Sequence, residues 1–231
     1  MSHIFAIGDG VDGIRIGIAA ASALASLAYL RFAGQASSPP RAWLKTFCFA
    51  SLTFLPLTYL ADPAQDATGF ITLSLALALS ALGDYLLAAT DQQRFFVPGL
   101  ASFLLAHVVF VITFLPLASA PGLGQVVAMA LAVGASGLLL RRLLPRLGRL
   151  RMPVIAYFLV INAMICVAIA SSSAGWVLGA GAVLFAFSDS LIAVRKFLTP
   201  FPGIHEAVWS TYAVAQFMIC LSVLEALLNL R

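Results

Sequence analysis

The sequence predicts an all-α, polytopic membrane protein with eight transmembrane helices, and three observations predict it. The chain of 231 residues is 62% hydrophobic and only 10% charged, with a mean hydropathy of +1.03. Uncharged apolar runs of about 18 residues or more recur along most of its length, as membrane helices require. Its basic residues fall in alternate connections and not uniformly. A membrane β-barrel would show short alternating segments, which are absent.

Taken in order, each span needs about twenty residues to cross a ~30 Å hydrocarbon core. The first is expected at 13–32. The residues before it carry Asp9 and Asp12 and lack a basic stretch, so no cleaved signal peptide is expected. Gly8-Asp9-Gly10-Val11-Asp12-Gly13 loosely resembles a calcium loop but lacks its closing Glu, and it reads as a flexible terminus. Ser37-Ser38-Pro39-Pro40 precedes a second span at 42–61, and Asp62-Pro63 closes it. The third and fourth spans are expected at 69–89 and 97–117, the fourth ending at Pro116 with Pro121-Gly122 beyond. The fifth, 123–141, stops before Pro145. Only Ser171-Ser172-Ser173-Ala174-Gly175 divides the sixth span, 152–171, from the seventh, 175–194. Thr199-Pro200-Phe201-Pro202-Gly203 then leads to the eighth, 207–229.

Charge is an independent check on this division. The connections after spans one, three, five and seven are assigned Arg31, Arg41, Lys45, Arg94, Arg141, Arg142, Arg146, Arg149, Arg151, Arg195 and Lys196, against Arg15 and Arg231 on the other side. That bias places the basic side in the cytoplasm and both termini outside it. It also demands an even number of spans, in agreement with hydropathy. The expected location is a bacterial inner membrane.

One stretch stands out within this frame. Ala186-Phe187-Ser188-Asp189-Ser190-Leu191-Ile192-Ala193-Val194 sets a carboxylate in an apolar span, where an ionisable group is costly and marks function. Ala81-Leu82-Gly83-Asp84-Tyr85-Leu86-Leu87-Ala88-Ala89 repeats the pattern, identical at four of nine positions when aligned on the acids. The acids are 105 residues, or four spans, apart, which suggests two four-helix halves in parallel orientation. Each lies about five residues before the inner end of its span, roughly 7–8 Å below the cytoplasmic boundary. If the two carboxylates converge, mutual repulsion and desolvation leave one protonated and one ionised, an arrangement suited to acid/base work.

Other polar residues take meaning from these acids. His107, inside the fourth span, follows Asp84 by 23 residues, and Tyr212 follows Asp189 by the same interval. Tyr212 and Gln216 share a helical face and are expected to line a cavity. Tyr157 and Asn162, on the sixth span, serve either as lining or as interhelical glue. Ser188 adjoins Asp189. Arg195 and Lys196, about 10 Å nearer the cytosol than Asp189, are placed either for phosphate contact or for ordinary anchoring. Cys48, Cys166 and Cys220 lie in apolar runs at no motif spacing and read as small buried hydrophobes.

Several chemistries find no support in the residues. Three histidines without a His/Cys cluster argue against a zinc site. Neither a nucleophile elbow nor a phosphate-binding glycine loop occurs. The net charge of +4 fits orientation in a bilayer and not a nucleic-acid partner. Three other classes fit less well: a proton-coupled transporter of a lipid-like or small organic substrate, an intramembrane aspartyl protease, and a purely structural subunit.

The Asp84 segment, Phe103 through His107, the Tyr157 segment, the Asp189 segment and Tyr212-Ala213-Val214-Ala215-Gln216 together resemble the motifs of the lysoplasmalogenase (YhhN) family, over about residues 13–229. The resemblance implies hydrolysis of the vinyl ether bond of a lysoplasmalogen, with an ethanolamine or choline head, to a fatty aldehyde and a glycerophospho-alcohol. It carries the catalytic role to Asp84 and Asp189, one as acid and one as base. His107, Tyr157, Asn162, Ser188, Tyr212 and Gln216 are then expected around the substrate, with Arg195 and Lys196 at its phosphate. The implied partner is a lysophospholipid in the bilayer, with no metal, no cofactor and no obligate protein partner.

Overall fold

The computed structural model describes residues 4–60, 66–89 and 91–230, without the side chains of residues 92 and 93. The described residues form helices and no strand: α1 (Asp12–Leu30), α2 (Pro39–Leu52), α3 (Phe54–Leu57), α4 (Ala67–Ala88), α5 (Gln92–Phe114), α6 (Leu123–Leu143), α7 (Arg151–Ala170), α8 (Gly175–Phe197) and α9 (Ile204–Asn229). Seven of them, some lengthened by a flanking turn, are long and apolar enough to cross a membrane. This is an all-helical integral membrane protein.

Local chemistry sets the helix ends. The Asp66 carboxylate accepts from the Thr68 N–H at 3.0 Å and caps α4. Asp91 does the same for the Arg94 N–H at 3.1 Å before α5. Pro39 and Pro40 occupy the first turn of α2, where a missing N–H costs nothing. Residues 171–175 do separate two helices: α7 stops at Ala170, and Gly175 starts α8 at φ +69°, a conformation that favours glycine.

The second expected span, 42–61, departs from a continuous helix. It breaks at Thr53 into α2 and the single turn α3. The cause is Pro56: it has no N–H to offer the Leu52 carbonyl four residues back, and its ring crowds that carbonyl. The Thr53 carbonyl at the break accepts from the Ser74 hydroxyl of α4, at 2.9 Å. The last residues of that expected span and the Asp62-Pro63 breaker lie partly outside the described residues.

The chain forms two compact units. One holds the described residues up to Thr113 together with those from Cys220 onward; the other holds Phe114–Ile219. In the first, α2 packs against α1 and α4. The Ser22 hydroxyl donates to the Cys48 carbonyl, and the Ser102 hydroxyl of α5 donates to the Leu79 carbonyl of α4 at 2.7 Å. In the second, α7 packs against α6 and α8. Gln125 Nε2 donates to the Ile169 carbonyl at 2.6 Å. Gly181 lets α8 approach α9 so closely that a Cβ there would lie 3.3 Å from the Ile219 backbone nitrogen.

The outward faces are apolar. Leu123 is 81% exposed and Leu131 70% on α6, as is Trp176, at 80%, on α8. Such surfaces belong in hydrocarbon, where helices satisfy their own backbone groups. The thiols of Cys48, Cys166 and Cys220 are free, and the first and last are fully buried.

The segment before α1 is ordered by Arg15, contrary to the flexible terminus expected there. Arg15 is 1% exposed. Its Nη1 donates to Asp9 Oδ1 at 2.8 Å and Asp12 Oδ1 at 3.0 Å, and its Nη2 donates to Asp9 Oδ2 at 2.6 Å and the Thr58 carbonyl at 3.0 Å. Nε donates to Thr58 Oγ1 at 3.0 Å, and the guanidinium lies 4.1 Å from the Tyr59 ring centroid. The Asp9 and Asp12 carboxylates are thus spent on a side chain of the same unit. The guanidinium, followed by the Val11 N–H, holds the Asp9 carboxyl below its usual 3.8.

Candidate functional site

Each unit presents one of the two intramembrane aspartates, and each aspartate has a defined polar partner. In the first unit, Asp84 lies on the buried stripe of α4 that includes Leu73, Leu77, Ser80 and Ala88. It is 1% exposed. Its Oδ1 is 2.8 Å from the ammonium of Lys45, whose side chain is only 15% exposed. Lys45 falls in turn on the inward stripe of α2, between Ala42 and Phe49 with Leu52 beyond. The charge assigned above to a cytoplasmic connection is therefore inside a helix and engaged with an acid. Burying a carboxylate demands a partner of this kind.

The residue before the acid faces the next helix. A Cβ on Gly83 would lie 2.5 Å from Cδ2 of Phe103 and 2.6 Å from its Cε2. Only glycine lets α5 come this close. Phe103 also accepts, through its carbonyl, from Nδ1 of the fully buried His107 at 2.5 Å. A carbonyl can only accept, so this ring carries its proton on Nδ1. An open apolar groove of about 450 Å³ runs between α2 and α4, lined by residues that include Trp43, Thr46, Phe54, Leu82 and Tyr85.

In the second unit, Asp189 is half-buried on α8. The Tyr157 hydroxyl of α7 donates to its Oδ2 at 2.5 Å, at the short end of O–H···O bonds. Ser188 is buried and donates to the Val208 carbonyl of α9 at 2.9 Å. Gln216 Nε2 donates to the Tyr212 hydroxyl at 3.0 Å, one turn away on α9. The Tyr212 ring meets Phe185 edge-on, with centroids 5.2 Å apart. The Gln216 side chain is wholly buried, and its Oε1 has no hydrogen-bond partner among the described residues.

The remaining expected residues separate into two kinds. Asn162 Oδ1 accepts from Ser136 of α6 at 2.8 Å, and its Nδ2 donates to the Phe158 carbonyl at 2.7 Å; it ties α7 to α6. Arg195, in the last turn of α8, donates from Nη1 to His205 Nδ1 at 3.0 Å, while Lys196 is exposed. Among the described residues no three His, Cys, Asp or Glu side chains group as metal ligands would.

Sequence reasoning missed Lys45 as a site residue. The signal was present, since an ionisable residue within an expected span is as unusual for a lysine as for an aspartate. It also paired Tyr157 with no particular acid, because a 32-residue separation carries no information about which helix faces meet.

Known proteins place these residues in context. The YhhN family matches residues 40–223, a range that holds Lys45, Asp84, Tyr157 and Asp189. A protein named lysoplasmalogenase from Mycobacterium bovis is 40% identical over 149 residues, covering 62% of this chain and 57% of that protein. Lysoplasmalogenase TMEM86B of Homo sapiens is 38% identical over 152 residues, covering 65% of this chain and 62% of that protein. The Sus scrofa protein of the same name is 36% identical over 166 residues, covering 71% and 69%. The chain thus spans less than two thirds of the length of the mycobacterial relatives. No solved structure matches.

Proposed function

The chain belongs to the YhhN family, and from that premise we propose that it hydrolyses the vinyl ether bond of a lysoplasmalogen with ethanolamine or choline as its head. One observation carries this reading: relatives named lysoplasmalogenase match at up to 40% identity, and the family match takes in both intramembrane aspartates with their partners.

The chemistry asks for an acid and a base. A proton moves from the acid to the β-carbon of the vinyl ether, and the C=C electron pair forms the new C–H bond. The ether oxygen shares its lone pair with the α-carbon, giving an oxocarbenium ion. Water adds to that carbon and loses a proton to the base, much as paired carboxylates handle the related cation in glycoside hydrolysis. The hemiacetal then breaks its other C–O bond as its hydroxyl proton passes to the departing oxygen. Aldehyde and glycerophospho-alcohol result, with one water consumed. In this proposal Asp84 and Asp189 are the catalytic carboxylates. His107, Tyr157, Tyr212 and Gln216 orient water and the glycerol hydroxyl, and Arg195 and Lys196 hold the phosphate. Ser188 and Asn162, engaged with Val208 and Ser136, support the helices that carry them. The α2–α4 groove gives the alkenyl chain an apolar surface.

Orientation belongs to the same proposal. With Lys45 removed from the loop count and Arg15 neutralised by Asp9 and Asp12, the basic residues still crowd one side. We place that side in the cytoplasm of a bacterial inner membrane, with both ends of this sequence outside, the phosphate contacts at the cytoplasmic boundary, and the chain acting as a single transmembrane domain without an obligate protein partner.

The deciding experiment uses purified protein in detergent. Aldehyde release from a lysoplasmalogen without any gradient is expected. It should fall by several orders of magnitude in both Asp84→Asn and Asp189→Asn while the proteins remain folded. Substrate movement in sealed vesicles, with no turnover in detergent, would favour a carrier instead.

A further inference from the structure

We infer that Lys45 is a positioning residue that fixes Asp84 as the carboxylate, so that Asp84 steadies cationic charge and accepts a proton, and does not donate one. This rests on the hydrolase reading above, which leaves the two acids without assigned roles.

Three observations lead there. The Lys45 ammonium is 2.8 Å from Asp84 Oδ1, the distance of a close ion pair. Asp84 is 1% exposed, so water does not screen that charge from its partner. Lys45 also sits on the inward stripe of α2, with Ala42, Phe49 and Leu52. An anchoring lysine would turn its ammonium toward the headgroups; this one turns it toward an acid in the core. Of the other polar side chains that α1 and α2 bury, Ser22, Ser26, Tyr29 and Cys48 carry no positive charge, and Arg15 is paired with Asp9 and Asp12.

The consequence for the reaction is directional. Protonating the β-carbon needs a carboxyl group that still carries its proton, and a carboxyl held beside an ammonium has already given its proton to solvent. An anion held there suits the opposite task, facing the oxocarbenium ion and taking the proton that water sheds. The donor is then Asp189 in the proposed scheme. When the attacking water gives its proton to Asp84, the Lys45–Asp84 pair becomes a cation beside a neutral acid, an unfavourable state; Asp84 then loses that proton to solvent and Asp189 takes one up from solvent, which restores both carboxyl groups.

The test separates this assignment from the hydrolase reading by using one readout that needs no substrate. Infrared spectra of detergent-purified protein with isotopically labelled aspartate report protonated carboxyl groups directly. At neutral pH the Asp84→Asn variant is expected to lose no protonated-carboxyl band relative to the native chain. Lys45→Met should gain one, and Lys45→Met with Asp84→Asn should lack it again. In the aldehyde assay, Lys45→Met should lower kcat by about 10²-fold or more, the usual scale for disabling acid–base work, with KM little changed. Lys45→Arg should retain activity within about tenfold, because its charge still reaches the acid. The neutral double variant, free of an unpaired buried charge, should fold like the native protein and stay inactive.

Loss of a protonated-carboxyl band in Asp84→Asn would overturn the assignment, whether or not Lys45→Met folds. So would a Lys45→Met protein with native kcat. Absence of turnover in the native chain, with the infrared pattern as expected, would sink the hydrolase reading and leave the Lys45–Asp84 assignment standing.

Discussion

Replacing Tyr157 by Phe removes a single oxygen and tests whether the short bond to Asp189 belongs to the reaction. The hydroxyl donates to Oδ2 at 2.5 Å, and a hydrogen bond to a charged group is worth about 1.5–3 kcal/mol net. Phenylalanine fills the same ring volume, so packing of α7 on α8 should survive. A donor that stabilises the carboxylate left behind favours release of the proton, so its loss should slow protonation of the vinyl ether. If the bond's full worth is expressed in the transition state, kcat falls about 10- to 150-fold, at about 1.36 kcal/mol per tenfold. The assay is aldehyde release in detergent, with kcat and KM measured separately and thermal unfolding followed alongside. A kcat within twofold of native would remove Tyr157 from the chemistry. A fall that only mirrors a loss of folded protein would reduce the bond to a strut between helices.

Three further outcomes follow from the geometry. Gly83→Ala should destabilise the first unit, because its Cβ meets the Phe103 ring at 2.5 Å. Overpacking costs about 1–3 kcal/mol, offset by up to about 1 kcal/mol of helix propensity. Adding Phe103→Leu should recover part of that loss, and a native melting temperature for Gly83→Ala alone would contradict the close approach. At the segment before α1, a carboxyl held below its usual value adds stability that is present above the unfolded value near 3.8 and lost as pH falls through the native one. Thermal stability should therefore decline below about pH 4, and less steeply in Asp9→Asn; identical pH profiles would sever that link. At the phosphate, Lys196→Ala should raise KM for phosphate-bearing substrates several-fold, whereas an unchanged KM would make Lys196 a membrane anchor.

How much of this was legible in the sequence depends on the physics behind each feature. Apolar run length and Gly/Pro punctuation located the long helices, since crossing a membrane imposes a length that little else overrides. The break at Thr53 escaped because hydropathy does not respond to one proline, and the effect of Pro56 falls four residues upstream. Asp84 and Asp189 were visible as isolated acids in apolar surroundings. Their partners were not, because the charge count treated Lys45 as a loop residue and nothing along the chain links Tyr157 to Asp189. The Asp9 and Asp12 contacts with Arg15 were half-legible: the three-residue spacing of Asp12 and Arg15 is that of a helical ion pair, but the glycines around Asp9 favoured a mobile reading. Asn162 was legible only as an alternative, cavity lining or interhelical glue, and its bond to Ser136 is of the second kind.

The two aspartate motifs share a construction that their sequences only partly show. In each unit the acid reaches back to an earlier helix, Asp84 to Lys45 of α2 and Asp189 to Tyr157 of α7. In each, the residue just before the acid reaches forward, Gly83 by admitting the Phe103 ring and Ser188 by bonding the Val208 carbonyl. Adjacent residues on a helix point about 100° apart, so each acid-bearing helix is held from two sides and the carboxylate has little freedom to leave its partner. The two acids differ in the partner's chemistry. An ammonium fixes a charge next to Asp84, whereas a phenol offers Asp189 a bond without a charge. These unlike partners are what the proposed hydrolysis, with its proton donor and its proton acceptor, would draw on.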